Sequence, residues 1–296
     1  MSEFKLEGLG VAIVTPFKCD KSVDFEALGR VVEYILEGEA DFIVVLGTTG
    51  ETPTLSLTER EEIKDYIKEK VDGRVPLVLG LGGHNTMGIV EELRTGDFSG
   101  FSAILSVVPP YNKPSQEGIY QHYKAISEAS PLPVILYNVP GRTGVNMTPD
   151  TTLRLANDFK NIIGIKEASG NLTQIEEIIK NKPEDFTVIS GDDAITFPLM
   201  ALGAKGVISV IGNAFPAEFG KMVRYTLNGD FDKALNIHYH FTGLFNLLFV
   251  DGNPAGVKCT LNALGLIENV LRLPLVPTRL STNEKIHDIL RSLRAL

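Results

Sequence analysis

The chain has 296 residues, 44% hydrophobic and 22% charged, an ordinary composition with room for one large domain or two small ones. No apolar run approaches the ~20 residues of a membrane span, and the opening MSEFKLEGLG lacks the basic-then-apolar pattern of a secretory signal. A formal net charge of −9 argues against nucleic acid as the main partner, and it obliges any anionic ligand to find cationic side chains placed locally against the global field.

From the amino end, the first apolar run is Val11–Val14 and the second is Phe42–Leu46, which empties into Gly47-Thr48-Thr49-Gly50-Glu51. Thr58-Glu59-Arg60-Glu61 has capping-box spacing and predicts a helix start. Val75–Leu79 comes next, then Ala103–Val108, which runs into Pro109-Pro110-Tyr111-Asn112-Lys113-Pro114. Ser115 can cap a helix reaching Ala129. Val134–Leu136 leads to Tyr137-Asn138-Val139-Pro140-Gly141-Arg142-Thr143-Gly144, and Thr148-Pro149 sets a cap before a proline at the first helical position. Ile162–Ile165 is followed directly by Lys166-Glu167-Ala168-Ser169-Gly170, with Asn171 placed to cap the next helix. Thr187–Ile189 ends in Ser190-Gly191-Asp192-Asp193, and Gly206–Val210 closes the series. Residues from about Phe231 to Leu296 read as further helices.

The pattern predicts α/β architecture. The runs are continuous and rich in Val and Ile, as parallel strands covered on both faces are. Eight strands alternating with helices predict a closed (β/α)8 TIM barrel over residues 1–230, with a C-terminal helical extension over 231–296. An open doubly wound sheet is the weaker alternative, since no G-x-G-x-x-G follows the first strand. Cys19 and Cys259 lie far apart; one disulfide is open to them, but a chain of this size needs none, and the setting reads as reducing and cytoplasmic.

In such barrels the active site forms at the carboxyl ends of the strands. Lys166 is the most informative residue there. An ordinary lysine amine titrates near ~10.4; a desolvating site that lowers this to ~7–8 makes the amine a nucleophile that forms imines. The plain alternative is a lysine that reaches solvent or pairs with Glu167. Tyr137 ends the neighbouring strand, where its phenol can relay protons to and from a carbinolamine, or simply line the rim. Thr48 and Thr49 offer hydroxyls and turn amides suited to a carboxylate, or form a plain turn. Arg142 can grip a carboxylate with two parallel bonds, or be a surface arginine. Asp192 and Asp193 fit substrate binding or helix capping equally. His238 and His240 stand two apart on a helix and face different ways, so no metal set is read. Gly203, Gly206 and Gly212 could make a phosphate nest, but the two aspartates of the preceding loop disfavour it.

Together, Gly47-Thr48-Thr49-Gly50-Glu51, Tyr111-Asn112-Lys113-Pro114, Tyr137-Asn138-Val139-Pro140-x-Arg142-Thr143-Gly144, Ile165-Lys166-Glu167 and Ser190-Gly191-Asp192-Asp193 resemble the dihydrodipicolinate synthase family of pyruvate-dependent class I aldolases. The likeness continues through Asn253-Pro254-Ala255-Gly256-Val257-Lys258 and Arg272-Leu273-Pro274-Leu275, nearly the whole chain. The resemblance implies a lyase of lysine (diaminopimelate) biosynthesis that condenses pyruvate with L-aspartate 4-semialdehyde, without cofactor or metal. It implies that Lys166 forms the Schiff base, and that Thr49, Tyr137 and Tyr111 form a proton-relay triad, Tyr111 entering from a neighbouring subunit. It further implies that Thr48 and Thr49 hold the pyruvate carboxylate, that Arg142 binds the aldehyde's carboxylate, and that Gly191 and Ile208 line the pocket. The implied assembly is a homotetramer built of tight dimers. In lysine-sensitive members the tight-dimer interface carries histidines, an asparagine, a glutamate and a tyrosine beside the relay tyrosine. Here Leu57, Arg60, His84, Gly88 and Pro110 stand at the matching positions, so inhibition by lysine is expected to be weak or absent.

Two other readings compete. A sibling aldolase acting on N-acetylneuraminate or a keto-deoxy sugar would need several hydroxyl partners for a long polyol, which the Arg142 setting disfavours. A keto-acid sensor or scaffold without turnover is disfavoured because Lys166 and all three triad residues are present.

Overall fold

The computed structural model describes residues 4–294. Eight parallel strands follow one another in chain order around a closed barrel, with helices alternating between them and further helices at the carboxyl end. This is the (β/α)8 TIM barrel with an added helical segment that the sequence pattern predicts.

The first elements are β1 (Gly8–Ala12), α1 (Phe25–Glu37), β2 (Phe42–Val45), α2 (Leu57–Val71), β3 (Leu77–Gly80) and α3 (Thr86–Thr95). Next come β4 (Ala103–Val107), α4 (Gln116–Ala129), β5 (Val134–Asn138), the one-turn α5 (Pro140–Thr143), α6 (Pro149–Asp158) and β6 (Ile162–Glu167). The remainder is α7 (Leu172–Asn181), β7 (Thr187–Ser190), α8 (Thr196–Ala201), β8 (Gly206–Ser209), α9 (Pro216–Leu227), α10 (Phe231–Phe245), α11 (Ala255–Ala263) and α12 (Leu280–Arg294).

The chain condenses into two compact units. One comprises the N-terminal residues through Gly8 together with Pro76–Ile208; the other comprises Leu9–Val75 and the residues from Ser209 onward. In the second unit, α1 buries Ala27, Leu28, Val31, Val32 and Ile35. That spacing is the apolar stripe of an amphipathic helix. Asp24 caps it, its side chain accepting from the Ala27 amide at 3.0 Å. In the first unit, Ser115, Thr148 and Asn171 cap α4, α6 and α7 as expected.

Three sequence expectations need correction. The first strand begins at Gly8 rather than Val11, because glycine is required inside it: a Cβ on Gly10 would lie 2.2 Å from the Phe42 ring, on its register partner. The capping box of α2 is Ser56 with Glu59, not Thr58 with Glu61; Ser56 Oγ accepts from the Glu59 amide, and Glu59 accepts from the Ser56 amide at 2.8 Å. Strands β5 and β6 extend past their apolar runs to include Tyr137–Asn138 and Lys166–Glu167. Polar side chains belong in a strand wherever the face they point to is polar, so an apolar run under-measures strands that carry a site.

The nest of glycines around strand eight has a packing cause. A Cβ on Gly206 would lie 2.1 Å from the Gly8 carbonyl oxygen, and the Gly212 amide is already committed to Ser209 Oγ at 2.8 Å. Cys19 is exposed and Cys259 buried, both as free thiols. Leu296 lies outside the described residues, so the helical reading of the carboxyl end holds as far as Arg294.

The position of the capping box is directly testable. Ser56→Ala should destabilise the chain by about 1 kcal/mol, while Thr58→Ala should change stability by less than about 0.5 kcal/mol. Urea denaturation midpoints of the two variants distinguish the assignments.

Candidate active site

In the first unit, register sets the key juxtaposition. Tyr137 of β5 pairs with Lys166 of β6, and Lys166 pairs with Ile189 of β7. Successive side chains of a strand point to opposite faces. Lys166 therefore points to the inner face of the sheet, with 6% of its surface exposed, and Glu167 points to the outer one. The Lys166 amine stands 4.3 Å from the centroid of the Tyr137 ring, and Tyr137 is itself buried.

Glu167 is not the partner of that amine. Its carboxylate accepts from Ser169 N at 3.1 Å and Ser169 Oγ at 2.6 Å, and from Asn138 and Gln174. Burial raises the Glu167 pKa, and the Ser169 and Asn138 donors oppose the rise. The simplest alternative for Lys166, a pair with its chain neighbour, is thereby removed.

Gly191 follows β7 and meets the lysine stem. A Cβ there would lie 2.9 Å from Lys166 Cε and 2.8 Å from Ala168 Cβ, so only glycine leaves the stem its room. Ile208 in β8 is buried; its neighbour Val207 pairs with Ser190, which lies on the outer face with Glu167. Alternation turns Ile208 inward. Asp192 is a cap, its side chain accepting from the Ala194 amide at 3.0 Å.

Arg142 sits on α5, immediately after β5, and is exposed. Among the described residues no carboxylate lies within ion-pair distance of it, so its fork is open to an anionic ligand. The neighbouring loop is docked onto this turn, the Tyr111 amide donating to the Thr143 carbonyl at 3.1 Å. Tyr111 adopts φ 74°, and its side chain is 90% exposed. It packs on almost nothing of its own chain.

In the second unit, Thr48–Gly50 forms a single 3₁₀ turn after β2. Thr48 is exposed and Thr49 buried. Thr49 Oγ1 accepts from Asn253 Nδ2 at 3.0 Å, which leaves the threonine proton available to another acceptor. Glu51 ends the turn in the left-handed region at φ 54° and is buried. Its carboxylate pairs with Lys258 Nζ at 2.5 Å and accepts from the Arg272 amide at 3.1 Å.

Lys258 is wholly buried; it also donates to the Val270 carbonyl at 3.0 Å and lies 4.2 Å from the Phe17 ring centroid. Burial lowers its pKa to about 8, with the Glu51 charge opposing. Arg272 binds Glu59 through both terminal nitrogens, and that hydrogen bonding chiefly lowers the Glu59 pKa to about 2. The threonine turn therefore rests on a buried ionic anchor. Asn253, Lys258 and Arg272 stand in segments noted for family likeness, but nothing local assigned them a role: Asn253 meets Thr49 across 204 positions of sequence.

A buried lysine facing a tyrosine at the carboxyl ends of paired barrel strands, beside an unpaired arginine, defines a (β/α)8 lyase of the imine-forming kind. The pattern of the Dihydrodipicolinate synthetase family matches residues 5–293, and the chain belongs to that family. It is 64% identical to the 4-hydroxy-tetrahydrodipicolinate synthase of Parabacteroides distasonis over 293 residues, and 65% identical to that of Phocaeicola vulgatus over 294, covering 99% of each chain compared. Among solved structures it is similar to dihydrodipicolinate synthase from Aquifex aeolicus, with a TM-score of 0.94, 41% identity and 98% of both chains covered. A structure of the enzyme from Cyanidioschyzon merolae with lysine bound aligns at a TM-score of 0.93 and 38% identity, covering 98% of this chain and 99% of that one.

Gly191→Ala should slow formation of a borohydride-trapped pyruvate adduct by at least about tenfold, because the added methyl displaces the lysine stem. Mass spectrometry of the trapped protein measures the rate.

Proposed function

We propose that this chain condenses pyruvate with L-aspartate 4-semialdehyde to 4-hydroxy-tetrahydrodipicolinate, in lysine (diaminopimelate) biosynthesis, through a Schiff base on Lys166. The observation that carries the reading is the buried Lys166 amine 4.3 Å from the Tyr137 ring. In its neutral form the amine adds to the keto carbon of pyruvate, and loss of water leaves an iminium. Loss of a methyl proton makes the enamine, whose carbon attacks the aldehyde. The amino group of the second substrate then displaces the lysine nitrogen, closing the ring and freeing Lys166.

Tyr137, Thr49 and Tyr111 carry the protons in this reading. The donation from Asn253 to Thr49 supports it, since the Thr49 proton is left free to be passed on. The 90% exposure of Tyr111 supports its service to a neighbouring subunit in a homotetramer of tight dimers. Thr48 and Thr49 are the first residues of their 3₁₀ turn, whose own hydrogen bonds consume later amides; they are assigned to the pyruvate carboxylate. Arg142 takes the carboxylate of the aldehyde, which answers locally the net charge of −9. Gly191 and Ile208 line the pocket. Residues 1–230 form the catalytic barrel and 231–296 the helical addition. No helix among the described residues is long and apolar enough to cross a membrane, and we place the enzyme in the cytoplasm.

A coupled assay with both substrates tests the reading. Lys166→Ala should abolish the trapped adduct and lower turnover by at least about 10³-fold, since no second amine replaces it. Arg142→Ala should impair use of the aldehyde by about 10²-fold while leaving adduct formation with pyruvate within about twofold. Equal damage to both steps would assign Arg142 to pyruvate instead.

Lysine should inhibit weakly or not at all. At the matching positions Leu57 and His84 are exposed, Gly88 carries no side chain, and Arg60 donates to the Thr52 carbonyl at 3.0 Å. None supplies the carboxylate that a lysine ammonium would desolvate against. Half-maximal inhibition at micromolar lysine in the same assay would contradict this.

A further inference from the structure

We propose that Asn138 and Glu167 are positioning residues, whose hydrogen bond on the outer face of the sheet sets the spacing of Tyr137 and Lys166 on its inner face. The proposal rests on the reading of Lys166 as the imine-forming amine.

The register places Asn138 opposite Glu167, one step beyond the Tyr137–Lys166 pair. Each reacting side chain therefore has, as its immediate chain neighbour, one member of the outer pair. Asn138 Nδ2 donates to Glu167 Oε1 at 2.5 Å, and Asn138 Oδ1 accepts from the Met147 amide at 3.0 Å. Gln174 Nε2 on α7 donates to the same carboxylate oxygen at 3.1 Å, while Ser169 supplies two donors to the other. Asn146 joins the two amides, accepting from Asn138 Nδ2 at 2.8 Å and donating to Gln174 Oε1 at 2.7 Å. Asn138 and Glu167 are completely buried.

Two features mark this as more than packing. A buried carboxylate is expensive, and an apolar pair of similar volume would fill the space at lower cost. The network also lies where the backbone ladder between β5 and β6 runs out, its last rung being the Ala168 amide to the Asn138 carbonyl at 2.9 Å. Past that rung the side chains hold the strand ends together. Four donors converge on Glu167, so its geometry is over-determined and reaches both strands and the helix behind them. A shift of about 1 Å between reacting groups costs about 10²-fold in rate, which is the margin such a brace protects.

The test uses the full chain with pyruvate and borohydride, and reads the trapping rate by mass spectrometry. Wild type must acquire its adduct at Lys166; without that, the imine reading fails whatever the outer pair does. Given the adduct, Asn138→Ala should lower the trapping rate and kcat by at least about tenfold, with KM for pyruvate within about twofold. In a Tyr137→Phe background the same substitution should add less than about twofold, because its effect passes through that tyrosine. Trapping at the wild-type rate, or the full loss repeated in the Tyr137→Phe background, overturns the proposal. Should Asn138→Ala fail to fold, Gln174→Met removes one donor to Glu167 and leaves both strands intact. It should slow trapping by about threefold, and an unchanged rate overturns the proposal equally.

Discussion

The chemistry of this protein depends on keeping a lysine amine inside a barrel without giving it a carboxylate. Strand alternation accomplishes this with two adjacent residues: Lys166 turns to the inner face, and Glu167 to the outer. Four donors from Ser169, Asn138 and Gln174 occupy the carboxylate, so it does not quench the amine. What the amine meets instead is the ring of Tyr137 and the bare backbone of Gly191. Each neighbour is a consequence of register, since Tyr137 is the direct partner of Lys166 and Gly191 follows the adjoining strand.

The second unit solves a different problem, that of holding a short polar turn still. The Gly-Thr-Thr-Gly-Glu segment makes one 3₁₀ turn and has little hydrogen bonding of its own. Its last residue, Glu51, is pinned by Lys258 and by the Arg272 amide, while Asn253 reaches Thr49. Burying this ion pair costs several kcal/mol per charge. The cost is met by close approach, by the Val270 carbonyl, and by contact of both cations with Phe17. The arrangement exchanges stability for a fixed orientation, as catalytic supports do.

Much of the barrel was legible in the chain. Eight Val- and Ile-rich runs at regular spacing, separated by recognisable caps, lead directly to β1 through β8. The site residues could be found because each follows or ends an apolar run, the one place where a parallel barrel tolerates polar groups. The errors fall where a local pattern had two close solutions. Ser56 and Thr58 both begin a plausible capping box; the one that caps is the one whose acidic partner also binds Arg272. Gly8-Leu9-Gly10 looks like a loop until the ring of Phe42 is in place.

What the sequence by itself determined was periodicity and chemistry: which segments are buried strands, and that Lys166, Tyr137, Arg142 and the two threonines stand at strand ends. These follow from nearest-neighbour pattern, because strand and helix periods are local properties of a chain. What only the tertiary structure decided was partnership. That Glu167 binds Asn138 and Gln174 rather than Lys166, that Gly191 clears the lysine stem, and that Asn253 and Lys258 support a turn some two hundred positions away all depend on register and closure. Those contacts join residues remote in sequence, and a one-dimensional pattern carries no record of which of them meet.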